Sequence, residues 1–177
     1  MLTEIEKFTF FWSGPFSQWH KCKFEVRGVE YNCTEQYMMA QKALLFNDES
    51  VYQEIMAETN PRNQKKLGRK IQGFDKDLWD KHRYTIVLVG NLAKFGQNAD
   101  LKQILMDTDL TTLVEASPLD NIWGIGLGEE TRDGTPVPEV YDRTKWKGLN
   151  LLGQVLTQVR EQFKAESLLV SGITGIK

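Results

Sequence analysis

Apolar residues recur along this chain with two different periods, and the change of period divides it into elements. Phe8 to Ser17 reads Phe-Thr-Phe-Phe-Trp-Ser-Gly-Pro-Phe-Ser, an aromatic extended segment stopped by a Gly-Pro turn. From Cys22 to Cys33 apolar and polar positions alternate. Strand side chains point to opposite faces in turn, so a hairpin turning at Arg27-Gly28 sets Cys22 against Cys33, Phe24 against Tyr31 and Val26 against Val29, all on one face. Lys23, Glu25, Glu30 and Asn32 take the other.

Beyond Cys33 the period becomes helical. Thr34 is a good N-cap for a helix from Glu35 to about Phe46, since its hydroxyl can satisfy a free N–H of the first turn. Asp48 starts another through Met56. Asn60-Pro61, a capping side chain followed by proline at the first helical position, opens a third to about Lys70. Asp75 or Asp77 begins a longer helix on which Leu78, Ile86, Val89, Leu92 and Phe95 track an apolar face. Asn98 opens a short helix through Met106, and Leu113-Val-Glu fits a short strand. Asp120 to Trp146 is rich in Gly and Pro and reads as loop. Asn150 caps a final helix with Leu152, Val155, Leu156, Val159 and Phe163 on one stripe. Residues 164–177 are weakly patterned and read as a loose tail. The fold class expected is mainly α (α+β): a compact single-domain helical fold over residues 1–165 with a small antiparallel β-hairpin or sheet, and a C-terminal tail over 166–177.

Composition narrows the picture. A chain of 177 residues suits one domain with a single core, and 41% hydrophobic with 26% charged residues excludes disorder for most of it. A net charge of -2 supplies no global positive field, so any polyanion must be met by a local patch. The N-terminus lacks a basic region followed by an apolar run, and stretches such as Ile86-Val-Leu-Val are too short to span a bilayer. A cytoplasmic protein with no membrane partner is expected. Cys22 and Cys33 lack metal-ligand spacing, and only His20 and His82 could join them, which argues against a zinc site. The cysteines read as small hydrophobes of the hairpin face or, alternatively, as a regulatory disulfide.

Four constellations could carry chemistry. Glu35 and Lys42 are seven residues apart, two turns along one helix face, with Met38 and Met39 between them. They are either a surface pair or a carboxylate and an ammonium lining a pocket. Glu115-Ala-Ser117 is followed by Asp120-Asn-Ile-Trp123-Gly124, where the aspartate either shapes a turn or stands beside an aromatic plate that can stack on a base. Gly124-Ile-Gly126-Leu-Gly128 matches neither dinucleotide nor P-loop spacing, and offers chain flexibility or close backbone approach to a ligand. Arg62, Lys65, Lys66, Arg69 and Lys70 form a basic run with no acid between, either a solvated helix face or an attractor of phosphate or nucleic acid that favours a polyanion-linked substrate. No Ser/His/Asp arrangement stands out.

Together these segments resemble the NADAR (YbiA-like) family of N-glycosidases. The resemblance rests on Phe11-Trp-Ser-Gly-Pro-Phe-Ser17, on Gly28-Val-Glu-Tyr31 running into Thr34-Glu35 and Gln41-Lys42, and on Lys94-Phe95-Gly-Gln97-Asn98. It continues through Glu115-Ala116-Ser117, Asp120 and Trp123-Gly124-Ile-Gly126, and closes with Gly148-Leu-Asn150-Leu-Leu-Gly153 and Val159-Arg160. The family pattern often carries His after the glutamate, where Gln36 stands here. The resemblance implies a YbiA-like fold and hydrolysis of an N-glycosidic bond between ribose (ribose 5-phosphate or ADP-ribose) and a nitrogen base. One branch acts on phosphoribosylamino-pyrimidine intermediates of riboflavin synthesis, another on ADP-ribosylated guanine in DNA.

Cleavage of such a bond makes C1′ cationic and the departing base anionic, so an anion near C1′, a proton donor near the base and a group to fix phosphate are required. Asp120 is the candidate for positioning water or steadying the cation, with Glu35 next in line. Lys42 is assigned an electrostatic role on phosphate or leaving base in preference to covalent attack as an amine. Trp123, Phe11 and Trp12 are candidates to stack on the base, and Gln97 and Asn150 to hold ribose hydroxyls, although Asn150 serves equally as a plain N-cap. Ser13, Gly14, Glu115 and Gly124 complete the expected substrate-binding set. Neither a metal nor an organic cofactor is expected. The rival readings are a non-catalytic NAD or ADP-ribose binder and an interaction protein docking through its aromatic N-terminus.

Overall fold

The computed structural model describes residues 6–174, and the side chains of 6–169. Its described residues form six helices and two two-stranded sheets, a mainly α architecture with minor β structure. They gather into two compact units, Ser13–Lys102 and the remainder, with the boundary falling inside one short helix.

In Ser13–Lys102, a 3-10 turn (Gly14–Phe16) follows Ser13 where the Gly-Pro stop was expected. Strands β2 (Phe24–Val26) and β3 (Val29–Tyr31) form the antiparallel hairpin in the predicted register, Phe24 against Tyr31 and Val26 against Val29. Arg27 and Gly28 take φ of 53° and 82°, the left-handed turn that a two-residue hairpin loop needs. Both cysteines are free thiols, and Cys33 is fully buried.

Helix α1 (Thr34–Leu45) starts one residue early. Its cap is Cys33, whose Sγ accepts from Gln36 N, while the Thr34 hydroxyl that was expected to cap donates instead to Gln18 O at 3.2 Å. Helices α2 (Glu49–Ala57), α3 (Pro61–Leu67) and α4 (Lys76–Gln97) begin at the predicted caps, Asp48, Asn60 and Asp75, each accepting a backbone N–H. The core of this unit is aromatic and tight. Tyr31 and Tyr37 meet edge to face with centroids 5.0 Å apart, and Gly90 of α4 lies where a Cβ would come within 2.5 Å of the Tyr37 ring.

The buried stripe of α4 coincides with the predicted one only at Phe95. Leu78 and Val89 are exposed, and Trp79, Val87, Gly90, Asn91, Lys94 and Phe95 face inward. Hydrophobic periodicity misreads the helix because two polar side chains, Asn91 and Lys94, occupy interior positions.

In the other unit, β1 (Phe8–Phe11) pairs with β4 (Thr112–Glu115), and the pair is parallel, where only an antiparallel sheet was expected. Parallel strands need a crossover, and here residues 12–111 supply it. Val114, Ile125 and Val140 form a cluster packed by Phe8, Phe10, Leu127, Val137 and Trp146. Helix α5 (Ala99–Met106) contributes its residues from Gln103 onward to this unit. Helix α6 (Leu151–Thr174) buries the predicted stripe Leu152, Val155, Leu156, Val159 and Phe163. It runs on to Thr174 through the stretch read as a tail, and residues 175–177 lie outside the described residues. No helix among the described residues is long and apolar enough to cross a membrane.

Candidate active site

Glu35 enters the interior because a polar framework holds the start of α1. Its backbone N–H donates to Gln18 O at 3.0 Å, the same carbonyl that the Thr34 hydroxyl reaches. Gln36 next to it is no ligand group. Its Oε1 accepts from Asn32 N at 2.8 Å, and its Nε2 reaches the carbonyls of Ile55, Met56 and Glu58 at the end of α2. Gln64 of α3 donates to Asn32 Oδ1 and Glu58 O and accepts from the Cys33 thiol. A buried amide is tolerated when its hydrogen bonds are made, and a connected set of them fixes one arrangement. The result is a carboxylate, Glu35, with only 2% of its surface exposed.

Two turns along α1, Lys42 is half-buried. Its Nζ donates to Gly68 O at 2.9 Å and lies 4.3 Å from the Phe74 ring centroid and 5.5 Å from that of Trp79. Aromatic faces attract a cation, so the ammonium is held by two rings and one carbonyl. Gly68 permits this approach, because a Cβ there would lie 2.0 Å from Met39 Sδ. Burial pushes the Lys42 ammonium below the ordinary lysine value, the Arg69 charge pushes the same way, and Glu35 opposes both. The carboxylate and amine picked out by spacing therefore share a helix and an electrostatic environment.

Lys94 is a second interior amine. It is fully buried, and its Nζ donates to Pro15 O at 2.6 Å and Ser17 O at 3.0 Å, clamping the turn of the Ser13–Ser17 motif. Burial lowers its pKa to about 8, with Cys22 and Cys33 acting in the opposite direction.

Asp120, Glu115, Trp123, Gly124 and Asn150 belong to the other unit. Asp120 Oδ1 accepts from Ile122 N at 2.9 Å and Trp123 N at 2.8 Å, the turn-shaping arrangement foreseen as one of its two readings. Trp123 is largely buried. The glycines beside it are not slack. Ile125 N donates to Glu115 O and Gly126 N to Asp120 O, and a Cβ on Gly124 would come within 2.8 Å of Glu115 O. Close backbone approach does account for them, and what approaches is the protein's own chain. Lys147 N, Asn150 N and Leu152 N bond back to Ile125 O, Gly124 O and Trp123 O, so the whole Asp120–Gly126 loop is stitched to the start of α6. Glu115, in β4, is half-buried.

Asn150 precedes α6 with φ of 52°, and its side chain does not cap the helix. Its Nδ2 donates to Leu113 O and its Oδ1 accepts from Glu115 N, which engages the amide on β4. Gln97 is engaged likewise, with Oε1 accepting from Glu25 N and Nε2 donating to Glu25 O, both at 2.8 Å. Phe11 is buried in β1, Trp12 is 56% exposed, and Ser13 and Gly14 are exposed at the head of the turn. Among the described residues no group of three His, Cys, Asp or Glu is placed to hold a metal ion. Sequence reasoning overlooked Phe74 and Trp79 as neighbours of Lys42. The available signal was Trp79, four residues past the Asp75 cap and eight before Val87, where helix periodicity points inward.

An α+β domain that sets a half-buried amine two turns from a buried carboxylate on one helix has the makings of an enzyme site for polar chemistry. Residues 10–164 match the model of the NADAR domain, and the chain belongs to the NADAR domain family. It is 42% identical to an N-glycosidase of Acanthamoeba polyphaga mimivirus over 90% of this chain and 98% of that one. It is 38% identical to the protein irg-1 of Caenorhabditis elegans, over 83% of this chain and 74% of that one. The NMR structure of YbiA from E. coli superposes with a TM-score of 0.73 at 28% identity, covering 94% of this chain and 90% of that one.

Proposed function

We infer that this chain is an N-glycosidase that hydrolyses the bond between C1′ of a phosphorylated or nucleotide-linked ribose and a nitrogen of its base. The kinship just described carries the reaction class, since the mimivirus relative and E. coli YbiA are both named N-glycosidases. The ribosyl substrates we propose are a phosphoribosylamino-pyrimidine of riboflavin synthesis or ADP-ribosylated guanine in nucleic acid.

The reaction adds the hydroxyl of water to C1′ and a proton to the departing nitrogen. Positive charge develops on C1′ and the ring oxygen, and we assign Asp120 to position the water or steady that charge, with Glu35 the alternative. Lys42 serves as the cation. Its lowered pKa makes its ammonium a better proton donor to the leaving base than an exposed lysine, and the rings of Phe74 and Trp79 hold it without neutralising it. The same shift favours a second reading, attack of the neutral amine on C1′, which requires a ribosyl adduct on Lys42. Mass spectrometry of quenched reactions separates the two by the presence or absence of that adduct. Trp123, Trp12, Ser13 and Gly14 remain candidate substrate contacts. Gln97 and Asn150, whose amides bond the backbones of Glu25, Leu113 and Glu115, are assigned to the framework, with ribose binding the alternative for each.

The test is release of free base from both substrate types by wild type, Asp120→Asn and Glu35→Gln, each checked for folding by circular dichroism. Each substitution is expected to lower kcat by roughly 10²–10⁴-fold. If both folded variants keep the wild-type rate, these carboxylates are not the catalytic ones. A pure ADP-ribose binder would saturate in calorimetry without releasing product.

A further inference from the structure

The basic run of α3 and the turn after it passes Lys42 at Gly68, whose carbonyl takes the Lys42 ammonium at 2.9 Å, and the Arg69 charge acts on that ammonium. Arg62, Lys66, Arg69 and Lys70 are exposed. Within α3, spacing of four residues stacks Arg62 over Lys66, and like charges so stacked repel one another. Lys70 approaches Glu54 at 4.0 Å, while Arg62, Lys66 and Arg69 have no carboxylate partner among the described residues. Arg69 directly follows Gly68, the residue whose carbonyl takes the Lys42 ammonium. Cations from two elements are thus held within each other's field, an arrangement that an anion seated beside them would relieve.

We propose that Arg69, supported by Lys66, forms a phosphate-binding subsite adjoining Lys42, and that it takes the phosphate of the ribosyl substrate. This rests on the reading of Lys42 as a site residue. The shared ligand chemistry is a phosphate ester, whether the monoester of ribose 5-phosphate or the diphosphate of ADP-ribose. A nucleic-acid backbone fits less well. Helix α3 is short, and its patch is bordered by acids of the preceding segment, with Glu54 beside Lys70 and Glu58 bonded to Asn63 at 3.0 Å. An extended polyanion would meet those carboxylates. A single phosphate need not.

The experiment measures binding of ribose, ribose 5-phosphate, ADP-ribose and a single-stranded oligonucleotide by calorimetry, in wild type, Arg69→Gln and Lys66→Gln. Both residues are on the surface, so the variants are expected to fold. Ribose 5-phosphate and ADP-ribose should each bind about tenfold or more weakly to Arg69→Gln, the effect of losing a charged hydrogen bond. Ribose should be unaffected, and Lys66→Gln should show a smaller loss. A parallel readout needs no turnover: the pH dependence of Lys42 acetylation by acetic anhydride, followed by peptide mass spectrometry. Inorganic phosphate should shift that profile to higher pH in wild type and leave Arg69→Gln unmoved. Equal phosphate effects in both proteins, or unchanged ribose 5-phosphate affinity in Arg69→Gln, would overturn the subsite. So would an oligonucleotide whose binding depends on Arg69 more than that of either small phosphate. Failure of the N-glycosidase reading looks different: phosphate still binds through Arg69, and no base is released.

Discussion

The unit around α1 and the unit built on β1, β4 and α6 are stabilised by different means. In the second, α6 lays Leu152, Val155, Leu156 and Val159 inward with no exposed surface, and Val114, Ile125 and Val140 continue the apolar core. In the first, Gln18, Thr34, Glu35, Gln36, Gln64, Asn91 and Lys94 are all buried. Among its described residues, the second unit buries only Ser117, Asn150 and Arg160 of the polar side chains. Burying polar groups contributes less than burying hydrocarbon and costs free energy wherever a hydrogen bond is left unmade, as at Gln18 Oε1 and Asn91 Oδ1. The first unit concentrates these groups on α1, which carries Thr34, Glu35 and Gln36, and on α4, which carries Asn91 and Lys94; on the function proposed above, α1 carries Glu35 and Lys42 for chemistry and much of the cohesion falls to the apolar stripes.

The largest consequence of this contrast is in catalysis. Lys42→Ala and Glu35→Gln should reduce kcat by roughly 10²–10⁴-fold while far-ultraviolet circular dichroism stays native. Substitutions in the α6 stripe should leave the kcat of the folded fraction unchanged. A variant such as Val155→Ala that lowered kcat as far as Glu35→Gln, with its fold intact, would erase the proposed division of labour.

Stability should show the reverse. Leu156 has no exposed surface and sits in the continuous stripe of α6, so Leu156→Ala is expected to cost about 2–5 kcal/mol, the sum of lost transfer energy and the cavity left behind. The denaturation midpoint measures it. A loss below about 1 kcal/mol would mean that the stripe contributes far less than its burial indicates.

The same contrast decides what could be read from the residues alone. Signals carried by a few neighbouring residues were legible: the Arg27-Gly28 turn, the caps Asp48, Asn60 and Asp75, and the apolar stripe of α6. The parallel pairing of Phe8–Phe11 with Thr112–Glu115 was not, because nothing local marks a partner a hundred residues away. The face of α4 was misjudged since Asn91 and Lys94 count as surface residues on any hydropathy scale. Asn91 is interior because its Nδ2 donates to Val87 O at 2.9 Å, and Lys94 because two carbonyls of the Pro15–Ser17 turn receive it. Of the candidate site, Glu35 and Lys42 follow from spacing on one helix. The rings flanking Lys42 come from beyond α3 and could not be placed until the chain was folded.

Lys94 offers a test of intermediate size. Its folded pKa of about 8 lies below the ordinary lysine value of 10.5, so above pH 8 the unfolded chain holds this proton more firmly than the folded one. Stability then rises with pH through the window from about 8 to 10.5, and the cost of the buried charge is fully present below pH 8. Against Lys94→Met, which lacks this titration, wild type should gain about 2 kcal/mol between pH 7.5 and 9.5. The comparison must be made as a difference, because the raised Tyr31 value acts with the opposite sign in the same alkaline range and is common to both proteins. Parallel stability curves for the two proteins would refute a depressed Lys94.

The smallest effect separates a clasp from a ligand. Gln97 closes α4, and its amide both donates to and accepts from the backbone of Glu25, pinning the β2–β3 hairpin to the end of that helix. It is exposed, so Gln97→Ala should cost only about 1 kcal/mol, the usual net value of such hydrogen bonds in contact with water. If holding the hairpin is its whole task, KM and kcat of the folded enzyme stay at wild-type values, and Gln97→Glu, which can accept from Glu25 N but cannot donate to Glu25 O, recovers part of the stability. A ribose-binding Gln97 gives the opposite pattern: KM rises severalfold in Gln97→Ala with the denaturation midpoint unmoved. The two readouts move independently, so one variant decides whether the end of α4 belongs to the framework or to the substrate.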